Sequence, residues 1–390
     1  MKLRLILPAL FLTGVASAQE RPAPPAHVMP PPRPISVPPA PSPGPMLVEL
    51  TPGEARCEDG VARLVRVERP LPVSGFGNRG TLAAPVTLRF RIDAQGRPLS
   101  IVQEPTDEFR PGRLYYTATD VIPAFAVSRF AAASERKNCS IRFEPHVFAV
   151  GDAPLPLVRR YFVTPHQRQS NERELFRRLH PADTDCVGGR APKLRLRAFP
   201  AFEEIPIEPG GWAYAMTSFD IDAKGRPINV KIVGSDGNAA LDRASIDAVK
   251  GSRYAPDARR GCTYPYYRRS ETTVEAPPSP QQASFRPAEA RCPDGDTAWT
   301  TMPKLQFPSG FTQRRIEGWA IIGYDVAPWG STGNVRVLAA EPAAVFGEQA
   351  RGIVTNARQS PSKTGRVGCV DIVRFVMPKK GQEAGEGEEE

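Results

Sequence analysis

The sequence predicts an α+β protein, a tandem of three small units, each an antiparallel sheet made of a β-hairpin and a final strand with one helix on its face. Three observations predict it. A strand–turn–strand segment occurs twice almost unchanged, as Phe90–Pro98 (FRIDAQGRP) and Phe219–Pro227 (FDIDAKGRP). Cys57 stands as far before turn residue Gly96 as Cys186 stands before Gly225. Within the unit the apolar spacing changes from period two to helical.

Along the chain, residues 1–18 read as a secretory signal peptide. Lys2 and Arg4 precede an apolar run, and Ala16-Ser17-Ala18 is a small-x-small cleavage site. The run is shorter than the roughly 20 apolar residues of a spanning helix, so the mature chain is expected to start at Gln19, outside the cytoplasm. The alternative is an uncleaved membrane anchor. Residues 19–50 are proline-rich and are expected to be disordered and extended.

Repeat 1 covers 51–152. Val86, Leu88, Phe90 and Ile92 alternate with Thr87, Arg89 and Arg91, the pattern of a half-buried strand. Asp93–Gly96 is a turn, and Leu99 and Ile101 resume the alternation. A linker, 153–183, follows, with a solvated helix expected over Gln169–Leu179. Repeat 2 covers 184–276. Ile228, Val230 and Ile232 form the second strand of its hairpin. Asn238 is an N-cap, Leu241, Ala244 and Ala248 recur at helical spacing, and Gly251 and Pro256 end the helix. Cys262 to Val274 reads as the final strand. After a linker, 277–287, repeat 3 covers 288–379, with strands Trp319–Val326 and Asn334–Leu338 but little of the helix signature. Residues 380–390 are an acidic tail.

Six cysteines without a CxxC motif, in an exported chain, read as disulfides. The repeat selects the sequential pairing Cys57–Cys139, Cys186–Cys262 and Cys292–Cys369.

The middle copy resembles a known family. Gly211-Trp-Ala-Tyr-Ala-Met-Thr-Ser-Phe-Asp-Ile-Asp-Ala-Lys-Gly225, the strand Ile228–Val233, the helix Leu241-Asp-Arg-Ala-Ser-Ile-Asp-Ala-Val249 and Tyr254-Ala-Pro256 are similar to the C-terminal domain of TonB-type energy transducers. The resemblance implies a periplasmic protein-binding domain whose last strand offers its edge to an extended peptide of an outer-membrane or periplasmic protein, by β-augmentation. That edge maps to Thr263, Tyr264, Tyr266, Tyr267, Arg268, Arg269 and Thr272. If the N-terminus is retained, the same resemblance implies a membrane-anchored energy transducer for outer-membrane receptors.

The net charge of +9 is spread along the chain without a dense basic block or stacking aromatics, so no nucleic-acid partner is expected. A basic structural protein holding peptidoglycan is a further possibility. The oligomeric state stays open.

No enzyme activity and no cofactor are expected. Asp93 and Asp222 sit where hairpin turns need aspartate, without the carboxylate spacing of a calcium loop. Glu203 and Glu204 are adjacent and point apart on a strand. His146 and His180 lie beside prolines with no nucleophile motif near them. Arg159–Arg160 and Arg268–Arg269 read as solvated charge, and Trp212 and Trp319 as core residues at strand starts.

Overall fold

Alternating apolar residues dictate most of the architecture, seen here in a computed structural model. The structure describes residues 44–378, apart from 79, 106–112, 115, 132–133, 165–171, 188–190 and 293–298. Residues 1–18, expected as a signal peptide, residues 19–43 and the acidic tail lie outside the described residues. The protein is α+β, with several small antiparallel sheets and few helices.

The first part is a seven-stranded sheet of β1 (Gly44–Pro52), β2 (Ala55–Cys57), β3 (Gly60–Ala62), β4 (Val73–Gly77), β5 (Val86–Ile92), β6 (Pro98–Gln103) and β7 (Arg136–Ala149). β5 and β6 form the hairpin read from the sequence. β7 pairs with β5 on one side and with β1 and β2 on the other. Helix α1 (Val121–Val127) lies under this sheet, with Phe125 edge-on to Phe90 at 4.8 Å.

Here the structure corrects the sequence reading. Residues 44–50, expected in the disordered proline-rich segment, are strand. Met46, Leu47, Val48 and Leu50 are all buried, because both faces of β1 are covered: Met46 and Val48 face one cluster and Leu47 another.

The middle part contains α2 (Leu155–Val163), α3 (Glu172–Leu179), β8 (Trp212–Ile221), β9 (Pro227–Ser235), α4 (Ala239–Gly251) and β10 (Arg259–Arg269). Its strand order is β9-β8-β10, all antiparallel. The Asn238 side chain caps α4, accepting from the Leu241 N–H at 2.9 Å. Leu241, Ala248 and Val249 then pack on Ala213, Ala215, Phe219 and Ile221 of β8. The other face of β8 is covered too. Tyr214 and Met216 pack on Leu157, Val158 and Tyr161 of α2 and on Leu175 and Leu179 of α3. Segment 153–183, read as a linker, therefore contains the second layer of the middle sheet. Its helices form because their apolar residues meet a strand that is apolar on both faces.

The third part has β11 (Gly318–Val326), β12 (Thr332–Glu341), α5 (Ala344–Asn356) and β13 (Arg366–Phe375), in the order β12-β11-β13. α5 has 13 residues, as α4 has. Segment 277–287 is likewise packed: Phe285, with Ala276 before it, lies on Trp319 and Ile321, and the Trp319 indole donates to Pro277 O at 2.7 Å.

The first and third parts share one apolar core that includes Phe90, Ile101, Phe125, Ile322, Phe346 and Phe375. Polar contacts reinforce it. Glu341 accepts from Arg91 at 2.8 Å and from the Ser100 N–H at 2.6 Å. Arg314, fully buried, joins all three parts. It donates to both oxygens of Asp120 at 2.6 Å, to Glu68 at 2.9 Å and to Gly210 O at 2.8 Å. Spacers between independent domains are not what the described connecting segments are.

Candidate functional site: the outer edge of the middle sheet

β10 lies at one side of its sheet, and its backbone directions follow from one hydrogen bond. The Ser270 N–H donates to Gly211 O at 3.0 Å. The pairing with β8 then runs without a shift from Trp212↔Arg269 to Phe219↔Cys262. In an antiparallel ladder, alternate residues turn their N–H and C=O toward and away from the neighbour. Arg268, Tyr266 and Tyr264 therefore face β8, while Arg269, Tyr267, Pro265 and Thr263 turn their backbone groups outward. A proline inside a strand has no N–H for the ladder and belongs on an edge. Pro265 sits at an outward position, where that N–H is not needed.

The residues expected to bind a partner divide accordingly. Tyr266 is 4% exposed, lies in the middle core and donates its hydroxyl to Ala198 O at 3.2 Å. Burial pushes its phenol up to about 12. Its side chain is structural, which corrects its assignment to the binding edge. Tyr264 lies under the Arg197 guanidinium, 3.9 Å from its ring centroid. Tyr267 is 49% exposed and stacks on Trp212, with centroids 5.4 Å apart and planes at 16°. Arg268 pairs with Glu271 at 2.7 Å, and Arg269 is exposed. Thr272 lies beyond the strand, which ends at Arg269 rather than at Val274, and its N–H donates to Ser270 Oγ at 3.2 Å.

The N-terminal end of β10 is closed by the chain before it. The Asp185 N–H donates to Arg260 O at 3.0 Å, and the Thr184 hydroxyl donates to Gly261 O at 2.9 Å. His180 Nε2 lies 2.9 Å from Thr263 Oγ1. Burial lowers the His180 pKa, although its bond to Phe176 O works the other way. The sulfurs of Cys186 and Cys262 are at bonding distance here, as are those of Cys57 with Cys139 and Cys292 with Cys369. Cys262 is buried beneath the α4 face, so this pair fastens residues 184–186 beside the first turns of the strand and leaves Tyr264–Arg269 clear of it.

The corresponding strand of the first sheet is covered, and that of the third is covered only in its first half. β1 and β2 occupy the outer side of β7. On β13, Arg291 and Val367 exchange backbone hydrogen bonds, and the Gln282 amide donates to Val370 O. Among the described residues, no strand pairs with the outer side of β10.

Residues 212–268 match the family model of the Gram-negative bacterial TonB protein C-terminal domain. The match runs from the first residue of β8 almost to the end of β10, taking in the hairpin, the helix and the edge strand. No curated protein matches the chain. No helix among the described residues is long and apolar enough to cross a membrane.

Other residues singled out from the sequence have structural partners. Asp222 accepts from the Lys224 N–H at 2.9 Å, the Arg226 N–H at 2.8 Å and the Arg226 guanidinium at 2.8 Å, and Asp93 does the same for Gln95 and Arg97. Both aspartates tie hairpin turns. His146 bonds Thr51 at 2.9 Å. Glu203 and Glu204 lie in a short 3-10 turn (Phe202–Glu204), not on a strand. Trp212 and Arg197 escaped the sequence reading as parts of the site. Pro265 was the signal within reach, a proline in the middle of a strand pattern.

Proposed function

We propose that this chain is an envelope protein-interaction module, and that the TonB C-terminal-like segment binds an extended segment of an outer-membrane or periplasmic protein along β10 by β-augmentation. The observation that carries this reading is the outward backbone of Tyr267 and Arg269, lying inside the matched segment on a strand without an outer neighbour. A partner strand would gain the Tyr267 N–H and C=O and pack its side chains beside the Tyr267–Trp212 stack. The protein acts in the periplasm, with residues 1–18 removed. The three hairpin–helix–strand elements are copies of one unit. Their turns support this, because a Cβ at Gly96, Gly225 or Gly330 would stand 2.2, 2.1 or 2.0 Å from the oxygen of Phe130, Tyr254 or Gln359. The edge of the first copy is covered by strands, and partner binding is assigned to the middle copy, the one the family model matches.

Replacement of Tyr267 by proline removes one outward donor without touching the ladder to β8. Captured from detergent-solubilised outer membrane, partner yield should fall about two- to twelvefold, the loss of one hydrogen bond at roughly 0.5–1.5 kcal/mol. Thermal melting should be nearly unchanged. Tyr266→Pro should instead unfold the middle sheet. Capture by Tyr267→Pro equal to that of the parent chain would refute augmentation at this edge.

A further inference from the structure

We propose that the extended segment taken up by β10 is acidic, with one carboxylate facing Arg197 and a second facing Arg269, on opposite faces of the sheet. The inference rests on the reading of β10 as the binding edge and names the chemistry of what binds there.

The open stretch of that edge is short. Residues 180–185 lie against Arg260, Gly261 and Thr263, which leaves Tyr264–Arg269 free on the outer side. Alternation along a strand divides the side chains of this stretch between two faces. Tyr264 and Tyr266 lie on the face packed by α4. Tyr267 and Arg269 lie on the other, where Tyr267 stacks on Trp212 and Arg269 stands opposite Trp212 in the ladder.

Charge pairing is uneven along this edge. Arg259 pairs with Asp257, Arg260 with Asp185 at 3.6 Å, and Arg268 with Glu271 at 2.7 Å. Each of these cations has a carboxylate of the chain beside it. Among the described residues, Arg197 and Arg269 take part in no ion pair. The two guanidiniums left over stand at the two ends of the open stretch, Arg197 above Tyr264 on one face and Arg269 on the other.

Arg197 is held ready by its surroundings. Its guanidinium lies 3.9 Å from the centroid of the Tyr264 ring. An arginine over an aromatic face keeps N–H donors at its edge, in the fork that matches a carboxylate. The next residue, Ala198, accepts the Tyr266 hydroxyl at 3.2 Å, which anchors the segment carrying Arg197 beside the edge.

The spacing of the partner's charges follows. Tyr264 and Arg269 are five positions apart on β10, about 17 Å along a strand, and an odd separation puts their neighbours on opposite faces. A paired strand therefore carries its carboxylates at that same spacing. Between them, the residue level with Tyr267 shares the face of Arg269 and packs against the exposed ring, so it is apolar. An acid level with Arg268 gains little, because Glu271 already holds that cation. Charges placed in this way select among strands that backbone pairing alone does not tell apart.

Fluorescence anisotropy with labelled peptides and the whole chain tests this. The probe is a threonine–valine peptide of about ten residues, long enough at about 3.3 Å per residue to span the open stretch. It carries glutamates at the stated spacing with valines between them, and is compared at low salt with the same peptide carrying glutamine or lysine there. The glutamate peptide should bind about two- to thirtyfold tighter than the glutamine peptide, the effect of two exposed ion pairs, and the lysine peptide should bind most weakly. High salt should close the gap. Arg197→Gln and Arg269→Gln should each remove part of the preference, and together all of it, with affinity for the glutamine peptide unchanged. Arg269→Lys should keep it. Equal binding of the glutamate and glutamine peptides, both lost in Tyr267→Pro, would overturn the acidic pattern and leave the edge reading standing. A preference untouched by the two arginine variants would overturn it as well. Failure of every peptide to bind would overturn both readings.

Discussion

Replacing Arg314 by methionine removes the one cation that Asp120 and Glu68 share at the junction of the three parts of the fold. The Arg314 side chain is 0% exposed, and those of Asp120 and Glu68 are 6% and 20% exposed. Burial disfavours the guanidinium, but the two carboxylates outweigh it and its pKa is raised. Methionine fills most of the volume yet leaves Asp120 buried without a countercharge and Gly210 O without its donor. Breaking a buried pair by removing one partner costs about 3–5 kcal/mol. Guanidinium-induced unfolding should therefore show a clearly lower midpoint with an unchanged slope. Adding Asp120→Asn and Glu68→Gln to Arg314→Met should recover part of the loss, because no buried charge remains. Burial raises the pKa of Glu68 despite the cations beside it. The folded protein thus holds that proton where the unfolded chain has released it, and stability falls as pH rises from about 4.5 through the raised value. Glu68→Gln should flatten that slope. A loss below about 1 kcal/mol in Arg314→Met, or no recovery in the triple variant, would refute the view that this ion cluster joins the three parts.

Three further outcomes are expected. Gly225 has a φ of +78° and would place a Cβ 2.1 Å from Tyr254 O, so Gly225→Ala should cost about 1–3 kcal/mol, read as a lower melting temperature. His180 has a pKa lowered below 6.5. Its contribution is present above pH 6.5 and is lost as pH falls through the lowered value, because the unfolded chain takes the proton first; His180→Gln should remove this part of the acid slope in a pH series of melts. Replacing Cys292 and Cys369 by serine together should lower stability by about 2–5 kcal/mol, and mass spectrometry of the alkylated parent chain should find no reactive thiol at either position.

What could be read in the sequence was what local pattern encodes. The hairpin Val86–Gln103, its counterpart at Trp212–Ser235 and helix α4 follow from alternation, an aspartate–glycine turn and an asparagine cap, all short-range signals. The elements missed are those whose apolar faces have meaning only against distant partners. β1 hides behind prolines, and its Leu47 packs in the cluster of α2 and Tyr214. α2 begins with Leu155-Pro156 and looks like a linker until it meets the second face of β8. α5 carries Gly347 and Gly352 in its interior, residues that weaken a helical pattern. Yet a Cβ at Gly347 would lie 2.6 Å from Val337, so the helix can approach β12 closely only because that residue is glycine. The strand over Thr263–Arg269 was legible in the sequence, but which of its tyrosines face the core depends on a register that one hydrogen bond to Gly211 sets.

The core shared by the first and third parts has a consequence for how the chain matures. Phe90 and Phe125 lie in one cluster with Phe346 and Phe375, and Arg91 and Glu341 are 250 residues apart in the chain. A polypeptide made from its N-terminus presents the first of these long before the last. Contacts of such high sequence separation form slowly, and apolar surface left waiting for them is prone to aggregate. The apolar surface of the first part should therefore stay exposed until residues 318–375 have been added, while the middle sheet, which draws its layers from residues 47–266, can close earlier.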